Sequence, residues 1–292
     1  MKIGISGASG QLGRAVVAAV QERSSLHDLV AITRNPGVVA SPIEARLGDY
    51  DKPETLASAY SGLDRLLLIP SPDLRPGLRT AQIVTAIDAA MMAGVGHIFL
   101  VSATGTRKRA EPAMGAAYWA GEQRLLANPD QTWTVLRTSY FAETFAEQAG
   151  MAASTGHVPG LAENRIAFVS RDDVAAAAAG ALTSQGHEGA IYNLTGPDRV
   201  TGAVRTSLLS QFTGMDVRYA VMSETQLRDA MSSAGVPAFV IDVVATMQAA
   251  QAEGDYDIVT GDIEKLTGRA PRSLLDVLQS LDFSPQAGAS VS

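Results

Sequence analysis

Gly7, Gly10 and Gly13 stand at equal spacing in the stretch GISGASGQLGRAVV, residues 4–17. Small residues at that spacing let a chain turn tightly after a strand and let its backbone approach a pyrophosphate. The last of them lets helix and strand pack closely. The unpaired N–H groups and the positive dipole end of a helix starting there would face the phosphates. A tight turn with close packing uses glycine in the same way, so the flanking elements decide between the two. Ahead of the motif, KIGIS (2–6) is a short apolar strand. Behind it, QLGRAVVAAVQER (11–23) sets Leu12, Val16, Ala19 and Val20 at helical spacing, and LVAITR (29–34) follows as a second buried strand. Strand, glycine turn, helix and strand in that order predict a dinucleotide site. Ser9, Gln11 and Leu12 in the turn, and Ile69 at the end of a later strand, join the three glycines as candidate cofactor contacts.

The end of the second strand selects the cofactor. An NAD site places an acid about 20 residues after the glycines to hold the ribose hydroxyls. Here AITRNP offers Thr33 and Arg34 and no acid. A guanidinium pairs with a 2′-phosphate where an acid would repel it, so NADPH is the expected cofactor. GDY (48–50) comes where a third strand would end, and there Asp49 could accept from the adenine amino group while Tyr50 flanks the ring.

The elements that must position these residues alternate. A helix beginning at Pro53 ends near Gly62, DRLLLIP (64–70) is a strand, and GLRTAQIVTAIDAAMMAGV is a helix closed by Gly94. HIFLVSA (97–103), GAAYWAGEQRLLAN and TWTVLRTSYF continue the rhythm as strand, helix and strand. Near-continuous apolar strands between helices predict an α/β fold, a Rossmann-type doubly wound parallel sheet. Past about residue 140 the rhythm changes. Ser170 caps a helix with Asp173 in a capping-box-like pair, and EGAIYNLTG (188–196) is one more strand. From Val200 onward helical segments joined by glycine and proline follow, including SETQLRDAMSSAG, PAFVIDVVATMQAAQAEG and SLLDVLQSLDF. The expected division is a nucleotide-binding domain over 1–150, with the 186–197 strand returning to it, and a smaller, mostly helical substrate region over 151–292 whose SPQAGASVS tail is frayed. Tyr140 and Phe141 follow a strand's carboxyl end, where ligands of such sheets lie, and are candidates to line the substrate pocket.

Composition removes several classes of function. With 46% hydrophobic and 18% charged residues the chain can build a core. A formal net charge of −7, with TRKR (106–109) as the only dense basic run, speaks against nucleic acid as a partner. The absence of cysteine excludes disulfides, thiolate catalysis and cysteine-ligated metals. His27, His97, His157 and His187 are scattered without metal-ligand spacing and read as surface or strand-edge residues; no metal is expected. The acidic EGDYD (253–257) reads as a solvated loop, and Trp119 and Trp133 as packing residues. No apolar run is long enough to span a bilayer and no secretory core opens the chain, so a cytoplasmic monomer or homodimer acting on a small aromatic molecule is expected.

GASGQLG, TRNP, GDYDKPETLASAYSGLDRLLLI, TVLRTSYFAETF, SRDDVAAAAAGAL and HEGAIYNLTG together resemble the NmrA-like branch of the atypical short-chain dehydrogenases/reductases. Within it the chain is similar to the NADPH:quinone oxidoreductases and triphenylmethane reductases, and the likeness weakens only after about residue 200. The resemblance implies an NADP-binding domain, a small substrate domain and a cleft between them, in a family that includes both reductases and cofactor-binding redox sensors. Short-chain dehydrogenases typically use a Ser or Thr after the strand written here HIFLVSAT, and a Tyr four residues before a Lys. Ser102 fits the first position, beside Thr104 and within reach of the cofactor; Tyr118 fits the second, but Glu122 stands where the Lys would be. A carboxylate beside a phenol disfavours the phenolate, so the usual relay is in doubt. Reduction of an isolated ketone leaves a basic alkoxide that needs a good proton donor, whereas a quinone leaves a stabilised phenolate. The expected activity is therefore NADPH-dependent hydride transfer to a quinone or a conjugated or aromatic ketone, polyketide ketones included; the alternative is a non-catalytic NADP(H) sensor.

Overall fold

The computed structural model describes residues 1–23 and 27–281. In its first half β1 (Lys2–Ser6), α1 (Gln11–Arg23), β2 (Asp28–Thr33), β3 (Glu44–Leu47), α2 (Leu56–Tyr60), β4 (Arg65–Leu68), α3 (Leu78–Met92), β5 (His97–Ala103), α4 (Met114–Leu126) and β6 (Thr132–Thr138) follow one another. Then come α5 (Ala142–Glu147), α6 (Ala149–Thr155), β7 (His157–Gly160), β8 (Arg165–Ile166), α7 (Arg171–Thr183) and β9 (Ala190–Leu194). The chain continues through β10 (Val200–Thr201), α8 (Gly202–Thr213), β11 (Arg218–Val221), α9 (Glu224–Ser233), α10 (Ala238–Ala252), α11 (Asp262–Thr267) and α12 (Leu274–Ser280). The tail expected to fray lies outside the described residues.

Seven strands form one all-parallel sheet in the order β3-β2-β1-β4-β5-β6-β9, the Rossmann arrangement extended by a seventh strand. Its strands alternate between two cores. Ile3, Ile5, Leu67, Phe99 and Val101 point to the side covered by α1, α7 and α11, while Leu66, Leu68, Ile98 and Leu100 point to the side covered by α2, α3 and α4. Period-two side-chain alternation with both faces buried is why these strands read as continuous apolar runs. Alanine-rich α7 lies directly on α1: Ala175, Ala178 and Ala179 are buried in one cluster with Leu12, Val16 and Val20. Ser170 accepts the backbone N–H of Asp173 at its start, as its sequence predicts.

The later part of the chain is mostly helical and also carries two short strand pairs. β7 pairs in parallel with β11, and β8 antiparallel with β10. Both pairs lie apart from the main sheet, and strands so short carry too little periodicity to be read in advance. A third apolar cluster, with Phe145, Phe168, Leu209 and Leu278, holds this part together. The helix expected at Pro53 begins with a single 3-10 turn over Pro53–Thr55 before α2. No helix among the described residues is long and apolar enough to cross a membrane.

Of the four histidines, most of them expected at the surface or a strand edge, His97 at the start of β5 and His187 are buried. His97 stacks on Phe99 at 4.1 Å and His97 Nε2 bonds Thr134 Oγ1 at 2.8 Å, while His187 Nδ1 bonds the Tyr192 hydroxyl at 2.9 Å. Loss of solvation, reinforced by the Arg65 cation, brings His97 down to about 4 from its ordinary 6.5, and His187 is lowered for the same first reason. The unfolded chain therefore takes up these protons first. Stability is expected to be fully present above pH 6.5 and to fall between 6.5 and 4. Urea midpoints at neutral and mildly acidic pH check this, and His97→Gln should flatten part of the slope.

Candidate active site

The strand order reverses between β1 and β4, and the carboxyl ends of the strands there open into a cleft of about 660 Å³. Cofactor sites of roughly 300–1,000 Å³ are usual at such a switch point. The wall is built by the glycine turn. Gly7 has φ 89°, a left-handed conformation that side chains disfavour, and its N–H donates to Ile32 O at 3.0 Å. Gly10 N donates to Gly7 O at 3.0 Å, and Arg14 N to Gly10 O at 2.9 Å, which starts α1. At Gly13 a Cβ would sit 2.1 Å from Gly7 O and 2.8 Å from Ala8 Cα, so only glycine lets the helix come this close to the turn.

Gly7, Ser9, Gly10, Gln11, Leu12 and Gly13 all line the cleft, and so do Arg34, Asp49, Tyr50 and Ile69. Thr33 Oγ1 donates to Ser9 Oγ at 2.8 Å and accepts from Asn35 N at 3.3 Å, which ties the end of β2 to the turn and carries exposed Arg34 beside it. Tyr50 donates its hydroxyl to Ile69 O at 3.0 Å; loss of solvation pushes that phenol up to about 12. Gly48, whose Cβ would come within 2.4 Å of Ile32 Cγ2, lets the chain run close behind β2.

Asp51, Ser71, Asp73, Arg79 and Gln82 line the same cleft and were not foreseen. Gln82 Nε2 donates to Asp51 Oδ1 at 2.7 Å and its Oε1 accepts from Ser71 Oγ. The available signal was two polar residues three apart on a helix face otherwise made of Ile83, Ala86 and Ile87.

Ser102 is placed differently. It is 1% exposed, and its hydroxyl donates to Glu122 Oε1 at 2.6 Å. Arg137 completes the group: Nε donates to Oε1 at 2.9 Å and Nη2 to Oε2 at 2.6 Å. β5 and β6 pair with Ser102 opposite Arg137, and α4 lays Glu122 across the two. The carboxylate in the expected lysine position is thus the centre of a buried ion pair.

Half-buried Tyr118 faces a second, water-sized cavity of about 30 Å³ with Thr104, Met247 and Tyr256. Arg79 Nη1 donates to its hydroxyl at 3.5 Å. Tyr140 packs edge-on to Tyr256 at 6.1 Å and to Phe168 at 5.9 Å, and its hydroxyl accepts from Gln148 Nε2 at 3.0 Å. Burial raises both Tyr140 and Tyr256 above the ordinary phenol range. The structure therefore brings Tyr140 toward the Tyr118 cavity through Tyr256. Phe141 goes elsewhere, packed against the first core with Arg171 over its ring at 5.7 Å.

The basic and acidic runs left over from the sequence meet here. Arg107 and Arg109 each pair with both Glu253 and Asp255, at 2.6 Å to Glu253 Oε2 in both cases. Asp255 is 7% exposed, so EGDYD is an anchored clasp over the small cavity instead of a solvated loop. No cluster of His, Asp and Glu among the described residues could hold a metal ion.

Residues 7–185 match the NAD(P)H-binding family. Quinone oxidoreductase 2 of Escherichia coli (strain K12) is 31% identical over 284 residues, which covers 96% of this chain and 98% of that protein. The crystal structure of the NADPH-dependent quinone oxidoreductase from E. coli complexed with NADPH superposes with a TM-score of 0.86 at 31% identity, covering 95% of this chain and 98% of that one. The Citrobacter sp. triphenylmethane reductase complexed with NADP(H) gives 0.84 at 28% identity, over 96% and 100% of the two chains. With the glycine cradle and the sheet order, these likenesses establish that the chain belongs to the NAD(P)H-binding family, in its NmrA-like branch.

Proposed function

We propose that this chain, an NAD(P)H-dependent oxidoreductase, transfers hydride from NADPH to a quinone or a conjugated carbonyl of a flat aromatic molecule. The observation that carries the choice of acceptor is the buried Glu122–Arg137–Ser102 group beside Tyr118. It leaves no lysine ammonium to assist a phenol in protonating a strongly basic alkoxide. A quinone product oxyanion is delocalised and asks less of its proton donor. The relatives named for quinone and triphenylmethane reduction support the same acceptor class.

When bound, NADPH supplies the hydride. The chain's own residues do the rest. Gly7, Gly10 and Gly13 and the first turn of α1 hold the pyrophosphate, Arg34 holds the 2′-phosphate, and Asp49 and Tyr50 hold the adenine. Ser102 keeps the end of β5 rigid through Glu122. Tyr118 faces the acceptor as the hydroxyl able to give a proton, with Tyr256 on the cavity wall and Tyr140 packed against Tyr256. The 30 Å³ cavity holds little more than a water or two, so an aromatic acceptor would need its walls at Thr104 and Met247 to move apart. Holding donor and acceptor in contact supplies much of the rate.

Purified protein is expected to oxidise NADPH with quinones faster than with isolated ketones in a broad acceptor panel. Tight NADP(H) binding with no turnover in that panel would replace this reading with a sensor. Arg34→Ala should reduce the preference for NADPH over NADH by roughly tenfold, the value of one charge-assisted phosphate contact. Binding titrations with both cofactors check this, and an unchanged ratio removes Arg34 from the 2′-phosphate site.

A further inference from the structure

Arg79 is a buried cation with no anion of its own. Carried on the first turn of α3, it is 9% exposed, and its Nε is buried without a partner. Its guanidinium makes no ion pair among the described residues; its one side-chain hydrogen bond there is the 3.5 Å contact to Tyr118. Asp73, whose carboxyl the Arg79 charge helps to hold down, is engaged by Arg75 at 2.6 to 3.1 Å. The guanidinium also stands over the Tyr118 ring, 5.8 Å from its centre, while lining the cofactor cleft. Desolvated unpaired charge is costly and marks a place where an anion is received.

We propose that Arg79 is a catalytic residue: the guanidinium that receives the negative charge forming on the acceptor oxygen. The assignment rests on the hydride-transfer reading above. As the hydrogen and its electron pair pass to the acceptor, the carbonyl pair moves onto oxygen. That oxyanion lies against Arg79, and a proton from Tyr118 Oη, replaced from water, completes the hydroxyl. This charge meets the acceptor oxyanion from α3 and does not take the place of the missing lysine on α4. A preorganised donor of this kind is worth roughly 10²–10³-fold in rate.

Arg79→Met is expected to lower kcat with quinones by about that factor while NADPH affinity stays within about threefold, and Arg79→Lys to recover part of the loss. A second measurement needs no turnover: binding of 4-nitrophenolate and of neutral 4-nitroanisole to NADP⁺-loaded protein. Wild type should prefer the phenolate, and Arg79→Met should abolish that preference without weakening the neutral probe. Loss of NADPH affinity with kcat and phenolate binding unchanged would make Arg79 a cofactor ligand and overturn the proposal. Equal affinity of wild type for the two probes would overturn it too, even if the Met variant does not fold. If wild type reduces no acceptor yet prefers the phenolate through Arg79, the anion site stands and the hydride-transfer reading fails.

Discussion

Gly13→Ala is expected to lower NADPH affinity by about a hundredfold and to reduce the melting temperature. The added methyl would meet Gly7 O at 2.1 Å and the Ala8 backbone at 2.8 and 2.9 Å. These are main-chain atoms, so no rotamer change relieves the clash. α1 must move off the turn, and its first N–H groups then lose their aim at the pyrophosphate. Overpacking of this kind costs about 1–3 kcal/mol, and a hundredfold in affinity is about 2.7 kcal/mol. Gly10→Ala is the control, since a Cβ there meets only Gly7 O, at 3.3 Å. Fluorescence titration with NADPH and thermal melts of both variants make the comparison. Equal affinity for the two would mean that the spacing between α1 and the turn does not set cofactor binding.

Arg137→Met is expected to cost about 3–5 kcal/mol of stability, because it leaves the Glu122 carboxylate buried with only Ser102 to satisfy it. For a chain of this size that corresponds to a fall in melting temperature on the order of 10 °C. Glu122→Met combined with Arg137→Met removes both charges and should be milder than Arg137→Met alone, since an apolar pair of similar volume often replaces a buried ion pair at little cost. Denaturant melts of the single and double variants decide it. An unchanged melting temperature for Arg137→Met would show that water or a rearranged partner compensates the carboxylate.

That the glycine turn, Arg34, Asp49 and Tyr50 line one cleft was legible because each lies within a few residues of the strand end that positions it. Local spacing then carries the geometry. Arg79 and Gln82 were not legible, since nothing within α3 says which neighbour its polar positions face. Glu122 was visible as a departure from a pattern, but its meaning depends on Arg137, which only the pairing of β5 with β6 brings opposite Ser102. The clasp between Arg107, Arg109, Glu253 and Asp255 joins runs about 145 residues apart, and charge complementarity over that distance has no periodic signature. Tyr140 and Phe141 are adjacent in sequence yet diverge, one toward Tyr256 and one into the first core, as neighbours at a strand end must when their side chains alternate.

The seventh strand has a consequence for dissecting the molecule. Residues 190–194 return to pair with β6 only after α7 has laid its alanines over Leu12, Val16 and Val20. A fragment cut at residue 150 would contain every glycine of the turn, yet it would bare the outer side of α1 and leave β6 as an open edge ready to pair with another chain. Such a piece should aggregate instead of binding NADPH. The glycine turn is made first, but the helix and strand that complete the packing behind it, α7 and β9, come only with residues 171–194.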